Sequence, residues 1–463
     1  MKYLAVDIGS TYTKLTAVDS GSGRIVGTAG AFTTIDTDVM EGYAAASAAL
    51  HAQTGGFAHD ALLCCSSAAG GLKMVALGLV PELTAKAAKL AASSAGAKVV
   101  ATYAYEISPE EQEEIRRIDP DLILLCGGTD GGNKEVIIAN ARILCGIEGR
   151  FSIIAAGNKV ASRELEEIFT ASGKEHVITG NVMPVFGSLD IEPARQSIRD
   201  LFIRRIIDAK GLSRMQAMSA CEVIPTPLAV MKACELLSLG TAKTPGIGDF
   251  LAIDAGGATT DVYSMSKGEP SLANVVVKGI QEPFSKRTVE GDIGMRYSLR
   301  ALYDGLDADA FAEENGFDRA RVEAWVRHCG SNPGAIAAPG SLERRIDEAL
   351  ARSGIAAAVE RHCGVMEKIY TPMGEMFVLR GKDLSLAPYI IGIGGVLKNS
   401  LAPAGILSGA KYTPVNPMRM LPKNPRYMLD EQYIFSAMGL VGMVDPELAL
   451  HMMKQEILLL PEA

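Results

Sequence analysis

Two stretches of one design constrain this chain more than anything else in it. Residues 4–19 read LAVDIGSTYTKLTAVD. An apolar run brings Asp7 to its end, a turn follows at Gly9, Ser10 and Thr11, and a second run from Leu15 to Val18 leads away, the pattern of a β-hairpin with a polar tip. Gly9 allows a positive φ and a close approach of backbone to ligand, so the N–H groups of residues 9–11 and the hydroxyls of Ser10 and Thr11 suit phosphate oxygens. Asp7 would face the same place, where a carboxylate holds a magnesium ion through its waters, and Lys14 would reach the phosphate as a point charge. Alone, such a stretch also reads as an ordinary hairpin with turn chemistry at its tip. Residues 250–264, FLAIDAGGATTDVYS, repeat the design with Asp254, Gly256, Gly257, Thr259, Thr260 and Asp261, and the repetition favours a phosphate-binding plan used twice. A third glycine cluster, Gly392, Gly394 and Gly395, follows an apolar strand at Tyr389 with Asn399 just beyond, a strand-to-helix turn against which a flat nucleoside can lie.

In this order the three pieces resemble the actin, Hsp70 and sugar kinase superfamily: phosphate 1 at Asp7–Lys14, phosphate 2 at Asp254–Asp261, adenosine at Gly392–Gly395. The second is similar to the Hsp70 pattern D-x-G-G-G-T-x-D, with Ala258 in place of the third glycine. Ile224–Val230 resembles the first connecting helix of that superfamily, Tyr433–Gly439 the second, and Val289–Arg296 the segment near the ribose. The resemblance implies an α/β fold of two ribonuclease-H-like lobes around a nucleotide cleft, with an inserted α/β region in the first lobe. The expected division is 1–74 for the first lobe, 75–212 for the insert, 213–248 for the rest of that lobe and a connecting helix, 249–430 for the second lobe, and 431–463 for the returning helix. The implied cofactors are ATP and Mg2+, with Asp7 and Asp254 at the metal, Asp261 as a second helper to metal or water, and Glu222 as a weaker candidate for positioning water.

Bulk properties fit a folded protein: 463 residues suffice for two or three domains, and hydrophobic residues make up 48% against 21% charged. A net charge of -9 argues against nucleic acid as the main partner. Asp7 sits where the apolar core of a signal peptide would be, and the most apolar window, Ala61–Val80, carries Lys73 and several Gly and Ser, so it reads as buried strand and helix rather than a membrane span. The eight cysteines contain no C-x-x-C and read as buried reduced thiols of a cytoplasmic protein. The pairs His328–Cys329 and His362–Cys363 lack the further ligands a metal site needs.

Arg24–Phe32 reads as a third strand, Gly42–Gln53 as a helix and Ala61–Ser66 as a buried strand, followed by a glycine pair at Gly70 and Gly71. A helix at Glu82–Ser94, a strand at Lys98–Tyr103, a well-capped helix at Ser108–Pro120 and strands at Leu122–Cys126, Ser152–Ala156 and Val177–Gly180 imply a parallel sheet. Parallel sheets carry function at the carboxyl ends of their strands, here Gly127–Lys134, within GGTDGGNKE, and Gly157–Lys159, where a contact surface for a partner or a piece of the nucleotide cleft competes with a plain solvated turn. Arg195, Arg199, Arg204 and Arg205 read as the solvated face of a helix. Ala273–Lys278 reads as β-rich, Arg287 to about Leu350 as helical, and Tyr412–Pro425 as a proline-rich surface loop.

The whole chain is similar to one family, the methylaspartate (glutamate) mutase accessory proteins known as GlmL or MutL, through DIGSTYTK at Asp7, LCGGTDGGNKEVIIANA at Leu125–Ala141, VIPTPLAV at Val223–Val230, IDAGGATTDVYS at Ile253–Ser264 and KRTVEGDIGMR at Lys286–Arg296. That resemblance implies an ATP-dependent reactivating chaperone whose partners are the subunits of an adenosylcobalamin-dependent mutase, with ATP hydrolysis coupled to release of damaged cobalamin. Other readings are a small-molecule kinase of the same superfamily, an iron–sulfur activator, disfavoured by the lack of paired cysteines, and a protein that uses ATP only as a structural switch.

Overall fold

A computed structural model describes residues 1–34, 37–67, 73–207, 212–372 and 374–461. The chain divides into two compact units: Met1–Lys232 with Gly279–Gln281 and Ser436–Leu448, and Ala233–Lys278 with Glu282–Phe435 and Ala449–Ala463.

In the first unit, β1 (Lys2–Ile8), β2 (Tyr12–Asp19) and β3 (Arg24–Phe32) form an antiparallel meander, and α1 (Val39–Thr54) leads to β4 (Ala61–Ser66), parallel to β1. Asp38 caps α1 by accepting from the Met40 N–H, and Gly55 ends it in a left-handed conformation. The chain then builds a second sheet from β5 (Lys73–Gly78) and, after a π-helical turn at Pro81–Ala85 and α2 (Lys86–Ser94), β6 (Lys98–Ala104). Next come α3 (Pro109–Ile118), β7 (Leu122–Leu125), α4 (Glu135–Gly146), β8 (Ser152–Ala155), α5 (Ser162–Ser172) and β9 (His176–Ile178). Every pairing in this sheet is parallel and its order is β6-β5-β7-β8-β9, so the expected parallel sheet is present. Ser108 is the N-cap as expected, and the structure adds a capping box with Glu111. Strand β5 corrects the expectation of strand and helix across 61–80, since the second half of that window pairs on both edges with neighbouring strands. Residues of β1, β4, β5, β7 and α2 share one core, in which α2 is almost wholly buried because its small side chains let flanking strands approach closely.

Helices α6 (Glu192–Ile207) and α7 (Leu212–Met218) lead to β10 (Ile224–Pro225), parallel to β4, and α8 (Thr226–Leu239). The first connecting helix therefore starts at Thr226, and Ile224 and Pro225 belong to the sheet, whose order is β10-β4-β1-β2-β3. Arg195 pairs with Glu192, Arg199 with Glu222, and Arg204 is exposed; the side chain of Arg205 and the pair Gly70–Gly71 lie outside the described residues.

In the second unit, β11 (Phe250–Ala255) and β12 (Thr260–Met265) form the second expected hairpin, followed by β13 (Val275–Val277) and β14 (Ser285–Glu290). Strand β14 corrects the expectation that the helical region begins at Arg287; helices begin only with α9 (Leu299–Asp304), then α10 (Ala308–Asn315), α11 (Arg319–Ser331) and α12 (Leu342–His362). The hairpin of β15 (Val365–Thr371) and β16 (Gly374–Arg380) joins β13 in a small sheet. Strand β17 (Tyr389–Ile393), α13 (Gly395–Lys398), α14 (Pro403–Leu407), β18 (Arg426–Leu429), α15 (Phe435–Val441), α16 (Pro446–Glu456) and β19 (Leu458–Leu459) complete the chain. Residues 411–425 form no long element, as expected; 411–419 are largely exposed while Met420, Leu421 and Pro422 are buried.

The main sheet of this unit has the order β14-β12-β11-β17-β18-β19. Its first five strands repeat the first unit's β3-β2-β1-β4-β10, with the same alternation of two antiparallel and two parallel pairings. That strand order, occurring twice, is the ribonuclease-H-like lobe expected of the superfamily.

Candidate functional site

The two hairpins agree residue for residue. Asp7 stands opposite Lys14 across β1 and β2, and Asp254 opposite Asp261 across β11 and β12. The Gly9 N–H donates to the Tyr12 carbonyl at 3.0 Å, and the Gly256 N–H to the Thr259 carbonyl at 2.9 Å. A Cβ at Gly9 would lie 2.6 Å from that Tyr12 oxygen, and one at Gly256 2.9 Å from the Thr259 oxygen, so each turn closes only around glycine. Among the described residues the N–H groups of Ser10, Thr11, Gly257 and Ala258 take no partner, which leaves two adjacent donors at each tip. Lys14 and Asp261 hold corresponding places with opposite charge.

Asp7 is buried, 4% exposed, and its carboxylate is held from three directions. Oδ1 accepts from the Thr226 hydroxyl at 2.7 Å and the Cys65 thiol at 3.6 Å, and Oδ2 accepts from the Ser436 hydroxyl at 2.9 Å. Thr226 is the first residue of α8 and Ser436 the second of α15, so both proposed connecting helices begin at this carboxylate. Burial, with Asp7 beside it, raises the Cys65 pKa well above the ordinary thiol value and keeps it a neutral donor. The two helices touch where Gly439 meets Ala229: a Cβ at 439 would sit 1.8 Å from the Ala229 carbonyl oxygen.

Asp254 is half-buried and accepts from the Tyr433 hydroxyl at 3.2 Å. Tyr433 has a φ of 59°, held by the turn in which Asp430 accepts from the Ile434 and Phe435 N–H groups. Asp261 is bound by Arg287 of β14, whose Nε donates to Oδ1 at 2.6 Å, and its Oδ2 accepts from the Thr259 hydroxyl at 3.2 Å. Thr260 is 2% exposed and lies within the β12 ladder. The tip of this hairpin is braced from behind: Met295 N–H donates to the Gly256 carbonyl, Arg296 and Tyr297 N–H to that of Gly257, and the Ser298 hydroxyl to that of Ala258. The segment singled out as VEGDIGMR thus supports the tip of the second hairpin.

At the third cluster, a Cβ on Gly392 would press on Leu397 and Leu407 at 2.9–3.1 Å, and one on Gly394, whose φ is 121°, would lie 2.4 Å from the Ala255 carbonyl. Packing within the unit accounts for both. Only Gly395 is exposed and open, with Asn399 Nδ2 donating to its carbonyl at 2.7 Å. Glu222 is paired with Arg199.

The loop Gly127–Glu135 is tied into the loops after β8 and β9. Asn158 Oδ1 accepts from the Gly131 N–H and its Nδ2 donates to the Gly132 and Asn133 carbonyls; Asn181 donates to the Gly128 carbonyl and to Asp130, which also accepts from the Lys159 N–H. Those bonds hold the Asp130 carboxyl below the usual range against the opposing effect of burial, and they explain an aspartate among glycines as a cross-link between loops.

Sequence reasoning missed Thr226, Ser436, Cys65, Tyr433 and Arg287. Thr226, Tyr433, Ser436 and Arg287 lie in segments that the sequence singled out, but nothing local marks any of the five as the partner of an aspartate, since each reaches it from a distant segment.

A family model described as MutL protein matches residues 3–457. The Protein MutL of Clostridium tetanomorphum is 45% identical over 456 residues, 98% of each chain. Among solved structures, the xylulose kinase from Bifidobacterium adolescentis is 13% identical over 97% of this chain and 92% of its own, with a TM-score of 0.32. The gluconate kinase from Lactobacillus acidophilus is 10% identical over 100% and 93%, with a TM-score of 0.36. At that distance the structural likenesses carry no weight, and the fold rests on the two strand orders. Among the described residues no helix is long and apolar enough to cross a membrane.

Proposed function

The chain belongs to the MutL protein family, and from that premise we propose that it is an ATP-dependent reactivating chaperone for an adenosylcobalamin-dependent mutase, glutamate (methylaspartate) mutase in the first place, driving release of damaged cobalamin in the cytoplasm. The observation that carries the nucleotide part is the doubled hairpin: the same register, the same glycine-closed turn and the same adjacent amides occur at residues 7–14 and 254–261. Taken each by itself, the tip of the first unit offers the amides of Ser10 and Thr11 and that of the second the amides of Gly257 and Ala258, donors that suit phosphate oxygens, and each hairpin carries a carboxylate, Asp7 or Asp254, of the kind that holds a divalent cation such as Mg2+ beside ATP. Bound Mg2+ would supply neutralisation of phosphate charge. Lys14 adds a positive charge on the first side, and the hydroxyls of Ser10, Thr11, Thr259 and Thr260 belong to the cofactor-binding set, with Thr260 acting through its place in β12. Gly392, Gly394 and Gly395 shape the adenosine side, where Gly395 offers the approachable backbone. Thr226 and Ser436 hold Asp7 by hydroxyls at the starts of α8 and α15, so a change at that carboxylate reaches both helices directly. In this reading 1–74, 213–248 and 431–463 serve the first lobe, 249–430 the second, and 75–212 is the insert.

The test is phosphate release by the purified protein alone, with inactivated mutase and with candidate small-molecule acceptors. A reactivating factor turns over slowly alone and faster with inactivated mutase. ATP consumption that appears only with a metabolite acceptor would replace this reading with a kinase.

A further inference from the structure

The carboxylate of Asp261 stands where a metal ligand is expected, yet both of its oxygens are engaged within the second unit. Arg287 is 4% exposed, its Nε donates to Oδ1 at 2.6 Å and its Nη2 lies 2.5 Å from the same oxygen. Oδ2 accepts from the Thr259 hydroxyl at 3.2 Å. A carboxylate in an ion pair has no hydrogen to give, so in this contact the hydrogen belongs to Thr259. A hydroxyl has one hydrogen, and once it is spent on Asp261 the oxygen can only accept or ligate. It cannot donate to a phosphate. We propose that Arg287 is a positioning residue which, through Asp261, fixes the Thr259 hydroxyl as an oxygen ligand for the divalent cation or its water rather than a donor to the nucleotide's phosphates. The site lies in the hairpin turn itself, where the Thr259 carbonyl already accepts from the Gly256 N–H and the neighbouring amides of Gly257 and Ala258 are left for the phosphate. The division of labour follows from chemistry: hard oxygen ligands suit Mg2+, and N–H donors suit phosphate. Arg287 supplies a permanent cation beside Asp261, so this carboxylate needs no metal of its own.

This inference rests on the nucleotide reading above, and the experiment separates the two. ADP affinity of the full-length protein is measured by calorimetry in Mg2+ and in EDTA, for the wild type, Thr259→Val, Thr259→Ser, Arg287→Lys and Arg287→Gln. Thr259→Val should lose tenfold or more of affinity in Mg2+ and stay within twofold of wild type in EDTA, while Thr259→Ser keeps the Mg2+ effect. Arg287→Gln should lose the Mg2+ effect and Arg287→Lys recover part of it, a rescue that loss of packing alone would not produce. Equal losses by Thr259→Val in Mg2+ and EDTA would make the hydroxyl a phosphate donor and overturn the proposal, as would an unchanged Mg2+ effect. A wild type that binds no ADP in either buffer removes the nucleotide reading and this inference with it.

Discussion

Lys382→Met should change the way the stability of the second unit responds to pH. Lys382 is 1% exposed, and its ammonium donates to the Phe284 carbonyl at 2.6 Å, the Ser264 hydroxyl at 3.2 Å and the Ser264 carbonyl at 3.4 Å. Ser264 in turn meets His362 Nε2 at 2.8 Å, and His362 Nδ1 meets the Thr288 hydroxyl at 2.8 Å. Burial, with Lys286 nearby, pushes the Lys382 pKa down to about 7, and Glu282 and Asp249 offset only part of this. The same burial, with Lys286 and Lys382, keeps His362 neutral by lowering its pKa well below the ordinary value. Between pH 7 and the ordinary lysine value of 10.5 the unfolded chain holds a proton that the folded chain has released. Stability therefore rises with pH across that window and is insensitive to this group below it. One site gives at most about 1.4 kcal/mol per pH unit, so the wild type should gain about 2 kcal/mol between pH 7 and pH 9 from Lys382. Methionine removes the titration and leaves a pH-independent cost for the acceptors it abandons. Trp325, the single tryptophan, belongs to this unit and donates to Asp347, so its fluorescence in urea titrations reports the relevant transition. The wild-type advantage over Lys382→Met should grow by about 2 kcal/mol from pH 7 to pH 9. An advantage that is the same at both values would refute the buried, deprotonating lysine.

Asp7→Ala should abolish phosphate release and nucleotide binding while costing about 1–3 kcal/mol of stability from the hydroxyls it leaves unmatched, measured by thermal melting and calorimetry; turnover at the wild-type rate would remove the metal assignment. Gly439→Ala places a methyl group 1.8 Å from the Ala229 oxygen and should lower stability by about 2 kcal/mol or more, whereas Gly131→Ala, at a φ of 78° with nothing near its Cβ, should cost about 1 kcal/mol; melting of the two variants side by side checks the contrast. Asn158→Ala should speed amide exchange at Gly131 and around Asn133 and Asp130 together, and exchange confined to Gly131 would show that the loops are not tied as described.

What could be read in advance was local. The hairpins at 4–19 and 250–264 combine a short apolar run, glycine at the turn and hydroxyls at the tip within one stretch, and both stand where expected. The N-cap at Ser108 was legible for the same reason. Strand β14 was not, because KRTVE looks like a solvated helix; Lys286 is buried where Glu282 and the His362 carbonyl receive its ammonium, and Arg287 where Asp261 pairs with it. Strand β5 lies in a continuous apolar run, where periodicity cannot separate strand from buried helix. The partners of Asp7 were invisible in principle, since Thr226 and Ser436 join it only through the fold. At the third glycine cluster the sequence pattern was right, but packing explains two of its three glycines.

The bond from Ser436 to Asp7 spans 429 positions, from the first strand nearly to the last helix. On a ribosome adding about 5–20 residues per second, the first strand emerges roughly 20–90 seconds before the serine that completes its buried carboxylate. Until then the opening segment holds a charge that its own neighbourhood only partly satisfies, so the first unit is finished by the tail of the chain rather than in order of synthesis. A truncation that reaches back past Ser436 would take from residue 7 one of the groups that hold it.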